Sequence, residues 1–75
     1  MKLMITLIKD KDNEEIEPGE SVVFDITEEQ AHSINELISA GDFDGLKETL
    51  SQIEDTNGEK YDIGIDDIYG FEFRL

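Results

Sequence analysis

His32 is the one imidazole in the chain, and Glu28, Glu29 and Glu36 stand at i−4, i−3 and i+4 from it. On a helix these side chains share a face. Carboxylates and an imidazole so placed form a donor set for a divalent cation. The same pattern also makes an ordinary solvated face, and with twenty acidic residues among 75 that reading takes precedence. General acid-base work by His32 would need a cleft and a nucleophile, and Ser33, its neighbour in sequence, points away from it on a helix. Asp10-Lys11-Asp12-Asn13-Glu14 opens like a calcium loop. The EF-hand geometry then needs Gly at position six and Glu at position twelve, where this chain has Glu15 and Ser21. Asp55-Thr56-Asn57-Gly58-Glu59 fails because its glycine comes too early. Adjacent acids such as Asp66-Asp67 arise freely at this density, and so short a chain builds no deep cleft for glycoside chemistry. The residues imply no catalytic group, no metal site and no cofactor, and an enzyme is not expected.

The acids matter instead as a field. Six Lys and Arg oppose twenty Asp and Glu, leaving a net charge of −14. A compact domain of this size is roughly 30 Å across, from a radius of gyration of roughly 11 Å. An equal length of duplex DNA carries about 18 negative charges. The two densities are similar. Such a chain repels nucleic acid and anionic membrane and attracts basic surfaces. Direct nucleic-acid binding is disfavoured because the phosphate term has the wrong sign. The absence of cysteine removes disulfides and thiolate metal sites together and agrees with a reducing compartment. No apolar run is long enough to span a bilayer, and Met1-Lys2-Leu3 does not begin a signal peptide. The expectation is a single domain, 1–75, that is cytoplasmic and of bacterial or phage type.

The elements that must position these charges follow from periodicity. Lys2 to Lys9 is almost continuously apolar, as in a strand buried on most of both faces. Ser21 to Ile26 alternates, with Val22, Phe24 and Ile26 on one side, and Pro18-Gly19 reads as the turn that feeds it. Asp10 to Glu20 reads as an exposed acidic loop between two antiparallel strands. Thr27-Glu28-Glu29-Gln30 is a capping box, after which Ala31, Ile34, Leu37 and Ile38 share a helical face and Gly41 supplies the stop. A second helix follows, capped by Asp42 or Asp44, with Phe43, Leu46, Leu50 and Ile53 facing inward; Asn57-Gly58 ends the helical region. Tyr61, Ile63, Ile65 and then Phe71, Phe73, Leu75 alternate, and parity favours a hairpin with a five-residue loop, Asp66 to Gly70. The predicted fold is α+β: about four mostly antiparallel strands in the chain order ββααββ, with two helices on one face.

In that layout Met4, Thr6, Ile8 and Val23 lie on the open face of the sheet beside Asp25, Asp62, Gly64, Glu72 and Arg74. This makes an apolar strip bordered by carboxylates, unless the long loop covers it. The carboxylates placed to meet a partner are Glu29 and Glu36 on the first helix, Glu14, Glu15 and Glu17 in the loop, and Asp66 and Asp67 near the C-terminus. Glu29 and Glu36 are roughly 10 Å apart along a helix axis, longer than one phosphate step, so imitation of a phosphate row needs loop acids as well.

Two functions follow from this pattern. One is a small binding protein that occupies a basic surface on a partner, in its most specific form an inhibitor of a nucleic-acid-binding protein. In size and charge the chain is similar to phage-encoded DNA-mimic inhibitors and to small antitoxin or immunity proteins, a similarity of composition with no motif behind it. The other is a self-associating structural or accessory domain, a homodimer through Met4, Ile8 and Val23, whose charge serves solubility.

Overall fold

The computed structural model describes residues 1–74; Leu75, the last member of the predicted alternating run, lies outside the described residues. The elements are β1 (Lys2–Ile8), β2 (Pro18–Asp25), α1 (Glu28–Ala40), α2 (Phe43–Ser51), a 3-10 turn (Ile65–Asp67) and β3 (Ile68–Arg74). The class is α+β, with three strands in the order β2-β1-β3 and β1 antiparallel to both neighbours.

The alternation in β1 and β2 produces the core directly. Leu3 and Ile5 stand opposite Phe24 and Val22 and are buried with them. The helices close over that face with Ala31, Ile34, Leu46 and Leu50, while Leu37 and Ile38 pack at its margin. The helix ends follow the local rules. Thr27 accepts from the Gln30 N–H at 3.1 Å, and the Gln30 side chain accepts from the Thr27 N–H at 2.9 Å. Gly41 ends α1 in the left-handed region at φ 72°, and Asp42 caps α2 by accepting from the Gly45 N–H at 3.0 Å.

Five sequence expectations are corrected. The predicted fourth strand and its hairpin do not form. Tyr61 to Gly64 is irregular, Ile65–Asp67 winds into the 3-10 turn, and Phe71 and Phe73 pair with Ile5 and Leu3 of β1 rather than with Ile65 and Ile63. The Asp67 carboxylate accepts from the Gly64 N–H at 2.9 Å, which holds the chain in the turn where a hairpin would need extended backbone. Ile63 is buried all the same, so the core takes this side chain without a ladder.

Pro18-Gly19 is not a turn but the start of β2, with Pro18 opposite Ile8. Pro is tolerated there as the first residue of a flanking strand. The neighbouring chain runs so close that a Cβ on Gly19 would sit 2.8 Å from the Lys9 Cα. Gly19→Ala is therefore expected to cost about 1–3 kcal/mol through forced separation of backbones. A urea midpoint equal to that of the parent would contradict the close approach.

Phe43, expected inward, is 41 % exposed, because it is the first residue of α2 and precedes the turn that faces the core. The helical region also stops at Ser51, short of Asn57-Gly58, and Ile53 is buried from the turn beyond it. Asp62 and Gly64 are not on the open face: Asp62 pairs with Lys47 of α2 at 3.6 Å, on the helix side.

Candidate functional surface

The strand register sorts the charges. Residues opposite one another share a face, so Lys2, Met4 and Thr6, with Ser21, Val23 and Asp25 on one side and Gly70, Glu72 and Arg74 on the other, form the open face of the sheet. Its four charged groups pair off: Lys2 with Asp25 at 2.7 Å and Arg74 with Glu72 at 3.1 Å. This face sums to zero. The whole net charge of −14 is therefore carried outside these positions, by the helices, loops and turns and by Glu20 at the irregular end of β2.

On that acidic side the structure gathers some of the expected partner-binding residues and separates others. Glu14, Glu15 and Glu17 are exposed in the loop after β1. The loop is tied down by the Lys9 N–H, which donates to the Glu17 carbonyl at 3.0 Å, and by an ion pair between Lys11 and Asp67. That pair brings it against the 3-10 turn, where Ile8, Asp10, Lys11, Asn13, Ile16 and Asp66 line one hollow. Asp66 is exposed beside the loop acids, whereas Asp67 is spent on structure. The Lys11 ammonium, together with the Gly64 N–H, holds the Asp67 carboxyl below its ordinary range, and Asp67 in turn raises the Lys11 ammonium.

Ile8 belongs to this end of the molecule. A register shift beyond Thr6 places it in the hollow with Lys11 and Asp66, and Met4 and Val23 are left as cross-strand partners on the open face. The apolar strip is thus shorter than the sequence implied. Glu29 borders a hollow between α1 and α2 lined also by Thr27, Gln30, Ser33, Thr49, Gln52 and Ile53. Glu36 is exposed and lies 3.1 Å from His32 Nε2. Among the described residues no group of three or more His, Cys, Asp or Glu side chains is arranged to hold a metal ion, and no helix is long and apolar enough to cross a membrane.

One polar cluster was not anticipated from sequence. Asp55 is buried, and its carboxylate accepts from the Asn57 and Glu59 N–H groups and from the Tyr61 hydroxyl, each at 2.8 Å. The Glu59 N–H, with help from Tyr61 and Asn57, lowers the Asp55 carboxyl. Its acceptor capacity goes to the turn, in which Gly58 adopts φ 81°. The Asp-x-Asn-Gly spacing is an Asx-turn signature that would have revealed it. The turn covers the C-terminal part of the β2 edge, since Asp55 bridges Phe24 and the Thr56 N–H donates to the Val23 carbonyl at 2.9 Å.

The hydrogen bond to Asp55 pushes the Tyr61 phenol up from 10.0 to about 12. A raised folded value means a contribution to stability that is whole below pH 10 and lost as pH rises through about 12. Asp55 works in the opposite sense: its contribution is present above the ordinary value of 3.8 and lost as pH falls through the lowered folded value. In a Tyr69→Phe variant, alkaline ultraviolet titration is expected to show the remaining phenol ionising around 12. A midpoint at the ordinary value would mean the Tyr61–Asp55 bond is absent in solution.

No family model matches the chain, and no curated protein or solved structure matches it.

Proposed function

We propose that this protein is a small acidic binding protein that occupies a basic surface of a partner, and that the partner is a nucleic-acid-binding protein inhibited by occlusion in the manner of a DNA mimic. The observation that carries the reading is the uneven placement of charge. A coat serving solubility alone has no reason to leave one face neutral, whereas here one sheet face sums to zero and the other surfaces hold all of the excess. The molecule's longest extent is 36 Å, a length over which duplex DNA carries roughly 20 phosphates. No enzymatic step is part of the proposal, and the setting proposed for it is the cytoplasm.

The test is capture on the immobilised protein from bacterial extract at low salt, elution by a salt step, and challenge of the captured complex with duplex DNA. The expected result is a basic protein released by salt and displaced by duplex. A retained protein indifferent to both would end the reading.

A second reading has an observation of its own. The neutral face with Met4 and Val23 is the surface on which two copies can approach with least repulsion, giving a homodimer with no inhibitory role. Salt separates the two, because screening strengthens such a dimer and weakens a complex of opposite charges. Sedimentation at two ionic strengths reads the difference.

A further inference from the structure

The two flanking strands differ at their outer edges. The edge of β2 is occupied at Val23 and Phe24 by Thr56 and Asp55, and Pro18 at its start has no N–H to offer. On β3 the only strand partner among the described residues is β1, on the inner side. The alternation of antiparallel pairs identifies which groups point outward. The Ile26 N–H donates to the Met1 carbonyl, in line with the Lys2–Asp25 register, so odd residues of β1 turn their backbone to β2 and even ones to β3. Gly70, Glu72 and Arg74 oppose those even residues and bond inward. Phe71 and Phe73 therefore aim their N–H and C=O groups away from the sheet.

The side chains along this edge are apolar and incompletely covered. Phe71 and Phe73 lie on the helix side with their rings edge to face at 6.4 Å. Phe71 is 40 % exposed, and the adjacent Tyr69 is 50 % exposed. Natural edges are guarded by Lys, Pro, bulges or a covering segment. The run Ile68–Arg74 contains neither Lys nor Pro, its two charged side chains, Glu72 and Arg74, pair with each other, and its register irregularity falls at the Ile68 end, leaving Gly70 to Arg74 regular.

We propose that the free edge of β3 receives an extended segment of a basic partner by β-strand addition, the segment's apolar residues lying beside Phe71 and Tyr69 and its basic residues on the opposite face. This rests on the acidic-surface reading above, and charge chooses the occupant. A cationic segment is drawn in by the net charge of −14, whereas a second copy brings the same charge to the same edge. The attraction comes from the molecule as a whole, because Glu72 beside the edge already pairs with Arg74.

The experiment uses the full chain and a nine-residue peptide alternating valine and lysine, with backbone amide exchange as readout. Exchange at Phe71 and Phe73 is expected to slow at least tenfold at saturation, while Gly70 and Glu72 do not change. Methylating the valine nitrogens, which face the strand in this register, should abolish the protection; methylating the lysine nitrogens should not. If a glycine-lysine peptide of equal charge binds as well and Phe71 and Phe73 exchange freely, the edge proposal fails and the acidic-surface reading survives. Equal protection by a neutral valine-threonine peptide overturns the basic occupant. Protection that grows with protein concentration alone assigns the edge to a second copy and overturns the proposal. Failure of every lysine peptide to bind at low salt removes both readings.

Discussion

Phe24→Ala is expected to leave the chain largely unfolded at 25 °C in low salt. Phe24 has no exposed surface, stands opposite Leu3, meets the Tyr61 ring edge-on at 6.2 Å and bridges Asp55. Truncating a buried Phe costs about 3–5 kcal/mol. A chain of this length holds about 4–11 kcal/mol in all, from the usual stability per residue. Repulsion among unscreened carboxylates places the protein toward the lower end of that range. The loss is thus comparable with the whole. Salt should restore part of the fold by screening that repulsion, and Phe24→Leu, which keeps most of the volume, should remain folded without added salt. Far-ultraviolet circular dichroism against urea at two ionic strengths reads all three cases. A Phe24→Ala midpoint near that of the parent would show that the core does not depend on this ring.

The second large effect concerns association. Reversing Glu14, Glu15 and Glu17 to lysine moves the net charge from −14 to −8, since each of three substitutions adds two units. At low salt the on-rate for the basic partner is expected to fall about tenfold or more, with a smaller change in dissociation. Parent and variant should converge at high salt, where the field is screened. The three residues are exposed and none is in an ion pair among the described residues, so the fold should shift by no more than about 0.5 kcal/mol. Asp66→Lys extends the series on the same side. Asp67 is unsuited to it, because its carboxylate holds Lys11 and the Gly64 N–H and its loss would loosen the loop as well. An on-rate indifferent to both reversal and salt would remove long-range attraction from the mechanism.

The features legible in the chain are those whose partners lie within about one helical turn, or that repeat with the period of an element. Thr27 with Gln30, Asp42 with Gly45, and the left-handed Gly41 act across four residues or fewer, so each could be read in place. The inward faces of β1, β2 and α1 were legible for a related reason: burial of alternate or helically spaced side chains requires only that some core exist. The net charge is likewise a property of composition.

Features that depend on distant pairing could not be read this way. Phe71 and Phe73 alternate identically whether they oppose Ile65 and Ile63 or Ile5 and Leu3, and the hairpin was the nearer choice. The 3-10 turn and the Lys11–Asp67 pair preclude it, and Lys11 lies 56 positions from Asp67. The neutral open face has the same origin. Lys2 meets Asp25, and Arg74 shares their face, only because β1 runs between β2 and β3. How many carboxylates the chain carries is a local fact of composition; which side they leave bare is set by contacts among residues far apart in sequence.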